Sequence, residues 1–235
     1  MSEPNATVAS KPQAARRVNV KTITSLSMLT ALAYIAMYDS KVLPQIAGFL
    51  QLEVKDTVIC IGGFVFGPLA AAIISIVVAL IEMFTVSDTG IIGCIMNVIA
   101  TVAFCCTASF VYKKMHTKKG AVIGLSLGVL VLAAVMVLWN YLITPLYMTG
   151  FSRSDIAAML VPIFLPFNLL KGALNMALCL VLYKPVVTAL RKAHLVPESG
   201  AVRSAQKGSG VGIALFSFAL VATFVVLAMV MMGKL

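Results

Sequence analysis

The fold class that the sequence predicts is an all-α, polytopic membrane helical bundle, and three observations predict it. Of the 235 residues, 61% are hydrophobic and 11% charged, with a mean hydropathy of +1.04, a composition no soluble domain shares. Apolar runs recur along nearly the whole chain, several long enough to cross a bilayer at about 1.5 Å per residue. The positive charges fall in short clusters on alternate connections, as expected of a chain that crosses repeatedly with one basic side.

Residues 1–18 are polar and basic and read as a disordered cytoplasmic tail. A membrane domain of six helices is expected over 19–192. Arg16, Arg17 and Lys21 precede an apolar run with ALA at 31–33, which resembles a signal peptide, but the further membrane segments downstream favour a retained first helix, about 20–38. The stretch YDSKVLPQIAGFLQLEVKD is irregular, with Pro44 and Gly48 as breakers. Residues 57–66 form a short second helix that cannot span alone. Gly67-Pro68 marks a turn and the start of helix 3, about 68–85. Helix 4 covers about 90–112 and is closed by KKMHTKK, and helix 5 covers about 120–143, before Pro145. Ser152 and Asp155 stand at capping-box spacing ahead of helix 6, about 156–190. A polar cytoplasmic linker, 193–210, leads to a seventh apolar run within 211–235 that is long enough to span.

Orientation follows from the basic clusters. Lys11, Arg16, Arg17 and Lys21 precede helix 1; Lys113, Lys114, Lys118 and Lys119 separate helices 4 and 5; Lys184, Arg191, Lys192, Arg203 and Lys207 follow helix 6. If the chain crosses at every helix, all of these share one side, which the positive-inside rule makes cytoplasmic. The N-terminus is then cytoplasmic and the C-terminus extracellular. The outer side receives Lys41, Lys55, Arg153 and Lys234, mixed with Asp39, Glu53, Asp56, Asp88 and Asp155.

The same residues exclude several functions. The net charge of +10 has no aromatic interleaving, so a bilayer rather than nucleic acid explains it. The five cysteines all lie in apolar segments without CxxC spacing or a nearby histidine; they read as small hydrophobes, not metal ligands. There is no Ser-His-Asp arrangement, no paired carboxylates, no HExxH and no GxxxxGK[ST] phosphate loop, so binding or transport is expected rather than enzymatic turnover, with no cofactor.

Against this apolar background a few polar residues converge. Asn168, Lys171 and Asn175 in LPFNLLKGALN are spaced by three and four, so they share one face of helix 6. A lysine near the middle of a membrane helix costs roughly 2.5–3.5 kcal/mol on insertion scales and needs a partner. Counted from the cytoplasmic ends, Asn97 and Asn168 lie about 24 Å up, Glu82 about 21 Å, Lys171 about 20 Å and Asn140 about 31 Å. Four helices thus bring hydrogen-bonding groups into the outer half of the membrane. Such a set suits a neutral or weakly anionic small molecule with an apolar body, with Phe49, Phe64, Phe84 and Trp139 available to pack on rings. Bland readings stay open: each Asn could bridge two helices, and Glu82 could pair with Lys171.

Seven segments then carry a resemblance: LTALAYIAM, FLQLEVKD, GGFVFGPLAAAI, GCIMNVIATVAF, TKKGAVIGLSLG, WNYLITPLYM and LPFNLLKGALNMALCLVLYKPVV, in unbroken order over about 20–192. They resemble the substrate-binding S components of energy-coupling-factor (ECF) vitamin transporters, and among them the riboflavin-specific members. The resemblance implies a six-helix fold that captures riboflavin near the extracellular face and topples on a transmembrane T subunit carrying two ATPases. It implies Asn140, Asn168 and Lys171 as polar contacts to the flavin, with Gln51 and Asn97 also at the pocket. Glu82 stands where riboflavin-type members often carry Lys-Asn, and Ser27-xxx-Ala31 takes the place of their helix 1 docking face. Another vitamin or precursor, or a scaffold whose buried polar groups only hold helices together, remain as alternatives.

Overall fold

The computed structural model describes residues 20–43, 45–148, 150–193 and 195–196. The basic tail 1–18, most of the linker 193–210 and the seventh apolar run lie outside the described residues. Within them the chain is helical: α1 (Val20–Ser40), α2 (Lys55–Phe66), α3 (Pro68–Thr85), α4 (Gly90–Met115), α5 (Lys118–Leu142), the single turn α6 (Thr144–Tyr147), α7 (Arg153–Met159) and α8 (Leu165–Lys192). α7 and α8 are joined without a break by a five-residue π segment, Leu160–Phe164, so one helix runs from Arg153 to Lys192. Five of these helices are long and apolar enough to cross a membrane, α7–α8 counting as one. α2, at 12 residues, is too short to do so, as its sequence indicates.

The ends follow local chemistry. Gly67 has φ +96° and Pro68 opens α3, which closes the turn between α2 and α3 at the dipeptide that announces it. Thr117 caps α5 by accepting from the Gly120 N–H. Ser152 and Asp155 form the full reciprocal capping box. The π segment has a cause in Pro162 and Pro166: each lacks an N–H, so two successive backbone bonds of the ladder are missing and the Leu165 N–H reaches back to Leu160.

α4 and α5 pack backbone to backbone. Gly124 and Gly128 stand one turn apart on α5, and a Cβ on either would come 2.7 Å from a carbonyl oxygen of α4, that of Ala108 or Phe104 respectively. Small residues at this spacing allow the close approach that lipid, lacking a hydrophobic drive between helices, rewards. The buried core around this seam joins Leu29 and Ala33 of α1, Ile59 and Ile61 of α2, Ile74 and Val78 of α3, and Leu125 and Leu132 of α5.

The connection between α1 and α2 departs from expectation. Ile46 and Leu50 pair across a tight turn at Ala47 (φ +53°) and Gly48 (φ +80°), and Ile46 and Leu52 are buried against Phe167 and Leu170 of α8. The segment thus folds back onto the bundle instead of lying on the outer surface. Glu53, Lys55 and Asp56, which charge counting puts among the outer surface charges, are all buried. The reason is that counting assigns a sequence position to a side of the membrane but cannot see a loop re-enter.

Candidate functional site

α2 and α8 run side by side in one register. Thr57 meets Asn175 and Glu53 meets Lys171, each pair 118 residues apart in sequence. α2 begins at Val54 with no side chain of its own to cap it. Asn175 does so from the neighbouring helix: its Oδ1 accepts from the Thr57 N–H and from the Thr57 hydroxyl, both at 2.9 Å. Its Nδ2 donates to the carbonyls of Glu53 (2.8 Å) and Lys171 (3.0 Å). The Thr57 N–H, which also reaches the Val54 carbonyl at 3.2 Å, is thus satisfied across the interface as well as locally.

One turn before Asn175 on α8, at Lys171, lies an ion network. Lys171 Nζ is 3.1 Å from Glu53 Oε2, and Lys55 Nζ is 3.1 Å from the same oxygen. Lys55 also donates to Glu82 Oε2 at 2.6 Å. Lys41, about a third exposed, stands over both carboxylates, 4.0 Å from Glu53 Oε1 and 3.8 Å from Glu82 Oε1. Glu82 is therefore an ion-pair residue, as one of its two readings has it, but its partners are Lys55 and Lys41 and not Lys171. Burial by itself would raise the carboxyl of Glu53, in the connection before α2; Lys171 and Lys55 outweigh it and hold that carboxyl well below its usual range. Lys41, Glu53 and Lys55 are the members that sequence reasoning missed. The available signal was the need of Lys171 for a counter-charge.

The three expected asparagines lie on three different helices and make no hydrogen bond to one another among the described residues. Asn168 is buried, one turn before Lys171, and its Nδ2 donates to the Phe164 carbonyl at 2.8 Å, in the π segment. Asn140 is buried near the end of α5, where its Oδ1 accepts from Thr144 of α6 at 2.9 Å. Asn97 is half-buried on α4 and makes no side-chain hydrogen bond among the described residues. Gln51 donates to the carbonyls of Ser40 (2.8 Å) and Leu43 (3.0 Å), so it ties the connection to the end of α1. Of the candidate aromatics, Phe49 lies 5.9 Å from Phe164 between ring centroids, beside the asparagine helix. Phe64 is at the other end, 4.5 Å from Tyr112, and Phe84 is 81% exposed on the bundle surface. Trp139, next to Asn140, keeps its Nε1 buried without an acceptor among the described residues.

Chemically, this half of the bundle offers amide donors and acceptors together with ammonium groups whose charge is internally balanced by carboxylates. It can hold a mostly neutral molecule by hydrogen bonds. Among the described residues no cluster of His, Cys, Asp and Glu could hold a metal ion.

Known proteins share this architecture. The chain is 28% identical over 186 residues to the riboflavin transporter RibU of Staphylococcus aureus (strain TCH60), a match covering 75% of this chain and 97% of the relative. It is also 28% identical over 189 residues to the riboflavin transporter FmnP of Bacillus subtilis (strain 168), covering 76% and 100%. A solved S component of a bacterial ECF transporter superposes with a TM-score of 0.62 at 27% identity, over 73% of this chain and 98% of that one. Residues 21–183 match the family described as ECF transporter, substrate-specific component, and the chain is a member of that family.

Proposed function

We propose that this chain captures riboflavin from the extracellular side and delivers it for ATP-driven uptake by a transmembrane T subunit and two ATPases. The observation that carries the substrate is the match to riboflavin transporters over nearly their whole length. The polar cluster supports it. Asn140 and Asn168 supply amides, and Lys171 an ammonium, to the pyrimidine edge of the flavin, which presents carbonyl oxygens, ring nitrogens and one N–H. Asn97 and Gln51 complete the pocket, and Glu82 acts through Lys55 and not on the vitamin. The basic clusters put the N-terminus in the cytoplasm and the C-terminus outside. Ser27 and Ala31 both lie on the exposed face of α1, which suits docking on the T subunit.

Titration of ligand-stripped protein in detergent with riboflavin tests the reading, followed by quenching of flavin fluorescence and of Trp139, the one tryptophan. Stoichiometric quenching that excess thiamine or pantothenate leaves unchanged is expected. A folded sample that quenches with neither signal overturns the assignment. Lys171→Ala is expected to weaken binding more than about tenfold, the scale of a charge-assisted hydrogen bond.

A further inference from the structure

Of the three buried carboxylates among the described residues, Glu53, Asp56 and Glu82, one stands outside the ion network. Asp56 is 1% exposed, yet it joins no ion pair among the described residues. Its Oδ1 accepts from the Thr101 hydroxyl at 2.7 Å, while its Oδ2 is buried and accepts no hydrogen bond among the described residues. The backbone carbonyl of Asp56 takes the Cys105 thiol at 3.3 Å, so the residue is fixed against α4 at two points. A buried acceptor of this strength without a donor is costly, and such groups in a native fold call for a partner.

The surroundings indicate which partner. Thr101 lies four residues after Asn97, on the same face of α4. One polar strip therefore runs from Asn97 through Thr101 to Asp56. Thr57, the next residue along, spends its hydroxyl on Asn175, and Lys55, the preceding one, spends its ammonium on Glu53 and Glu82. The Thr57 hydroxyl has no second hydrogen to offer, and the Lys55 ammonium acts on Asp56 through its charge, with no hydrogen bond between the two among the described residues. A carboxylate accepts and cannot donate. It is a poor match for the carbonyl-rich edge of a flavin ring and a good one for a chain of hydroxyl groups.

We propose that Asp56 Oδ2 accepts a hydrogen bond from a hydroxyl of the substrate's polyol chain and so determines selection for the ribityl part of the vitamin. This rests on the riboflavin reading. Asp56 then divides the labour with Asn140, Asn168 and Lys171: they read the ring, and it reads the chain.

The test compares riboflavin with lumiflavin, which has the same ring system and a methyl group in place of the ribityl chain, on wild type and Asp56→Asn. The substitution retains the oxygen that takes Thr101 and replaces the other with a donor. Riboflavin affinity is expected to fall at least about tenfold, the scale of a hydrogen bond to a charged group, with lumiflavin affinity unchanged. Equal losses for both ligands would mean that Asp56 only packs α2 on α4, and no loss for either would mean that Oδ2 meets no ligand; each overturns the proposal. Asp56→Ser, which removes the carboxylate and keeps a small polar group, is read the same way if the first variant does not fold. Wild-type protein that binds neither flavin would instead overturn the riboflavin reading, and the proposal with it.

Discussion

Two helix interfaces in this bundle hold by opposite means. Between α4 and α5, Gly124 and Gly128 leave no side chain at the contact, and backbone rests on backbone. Between α2 and α8 the Phe64–Tyr183 ring pair packs at one end, and at the other stand Lys171, Thr57, Asn175 and, just before α2, Glu53, each of them charged or hydrogen-bonded across the gap. The first interface tolerates no added atom and the second tolerates no lost one. The first is therefore a seam of close backbone approach, whereas the second is held by polar groups that depend on one another.

Breaking the polar interface by subtraction has the largest expected effect. Lys55→Ala leaves Glu82 with only the more distant Lys41 and takes one of three cations from Glu53; a loss of about 3–5 kcal/mol is expected, as when one partner of a buried pair is removed. Thermal melts in detergent measure it. Lys55→Met with Glu82→Leu should recover part of that loss, because the pair goes together. Breaking the seam by addition comes next. Gly128→Leu forces α4 away at the Phe104 carbonyl and is expected to cost about 3 kcal/mol, the upper end for overpacking, since backbone cannot step aside as a side chain can. The same melt reads it, and a neutral outcome would mean that the two helices are not in close contact. Asn175→Ala sharpens the comparison with the smallest effect, about 1–2 kcal/mol, as for a lost helix cap.

How much of this was legible in the sequence differs between the same two regions. The long helices were readable to within a few residues, because the apolar runs are long and Gly67-Pro68, Thr117 and the Ser152–Asp155 pair punctuate them by local chemistry alone. The stripe of Asn168, Lys171 and Asn175 was readable from helical spacing, and all three are buried. Their partners were not. Glu53 and Lys55 lie more than a hundred residues away in a segment that looks like a surface loop, and only the fold shows Ile46 and Leu52 drawing it down onto α8. The turn α6 and the π segment also escaped: Pro145 reads as the stop after helix 5, and helix 6 reads as continuous through Pro162 and Pro166, because spacing does not say which irregular geometry will absorb a proline.

The π segment also acts as a ratchet on everything that follows it. A π turn is what remains when a helix accommodates one surplus residue, so Leu160–Phe164 sets the phase of α8 relative to α7. Deleting a single residue there would turn α8 by about 100° and draw it along its axis by about 1.5 Å. Asn168, Lys171 and Asn175 would then swing away from α2 together. Chain length across these five positions, more than the identity of any one of them, aims the polar face of the bundle.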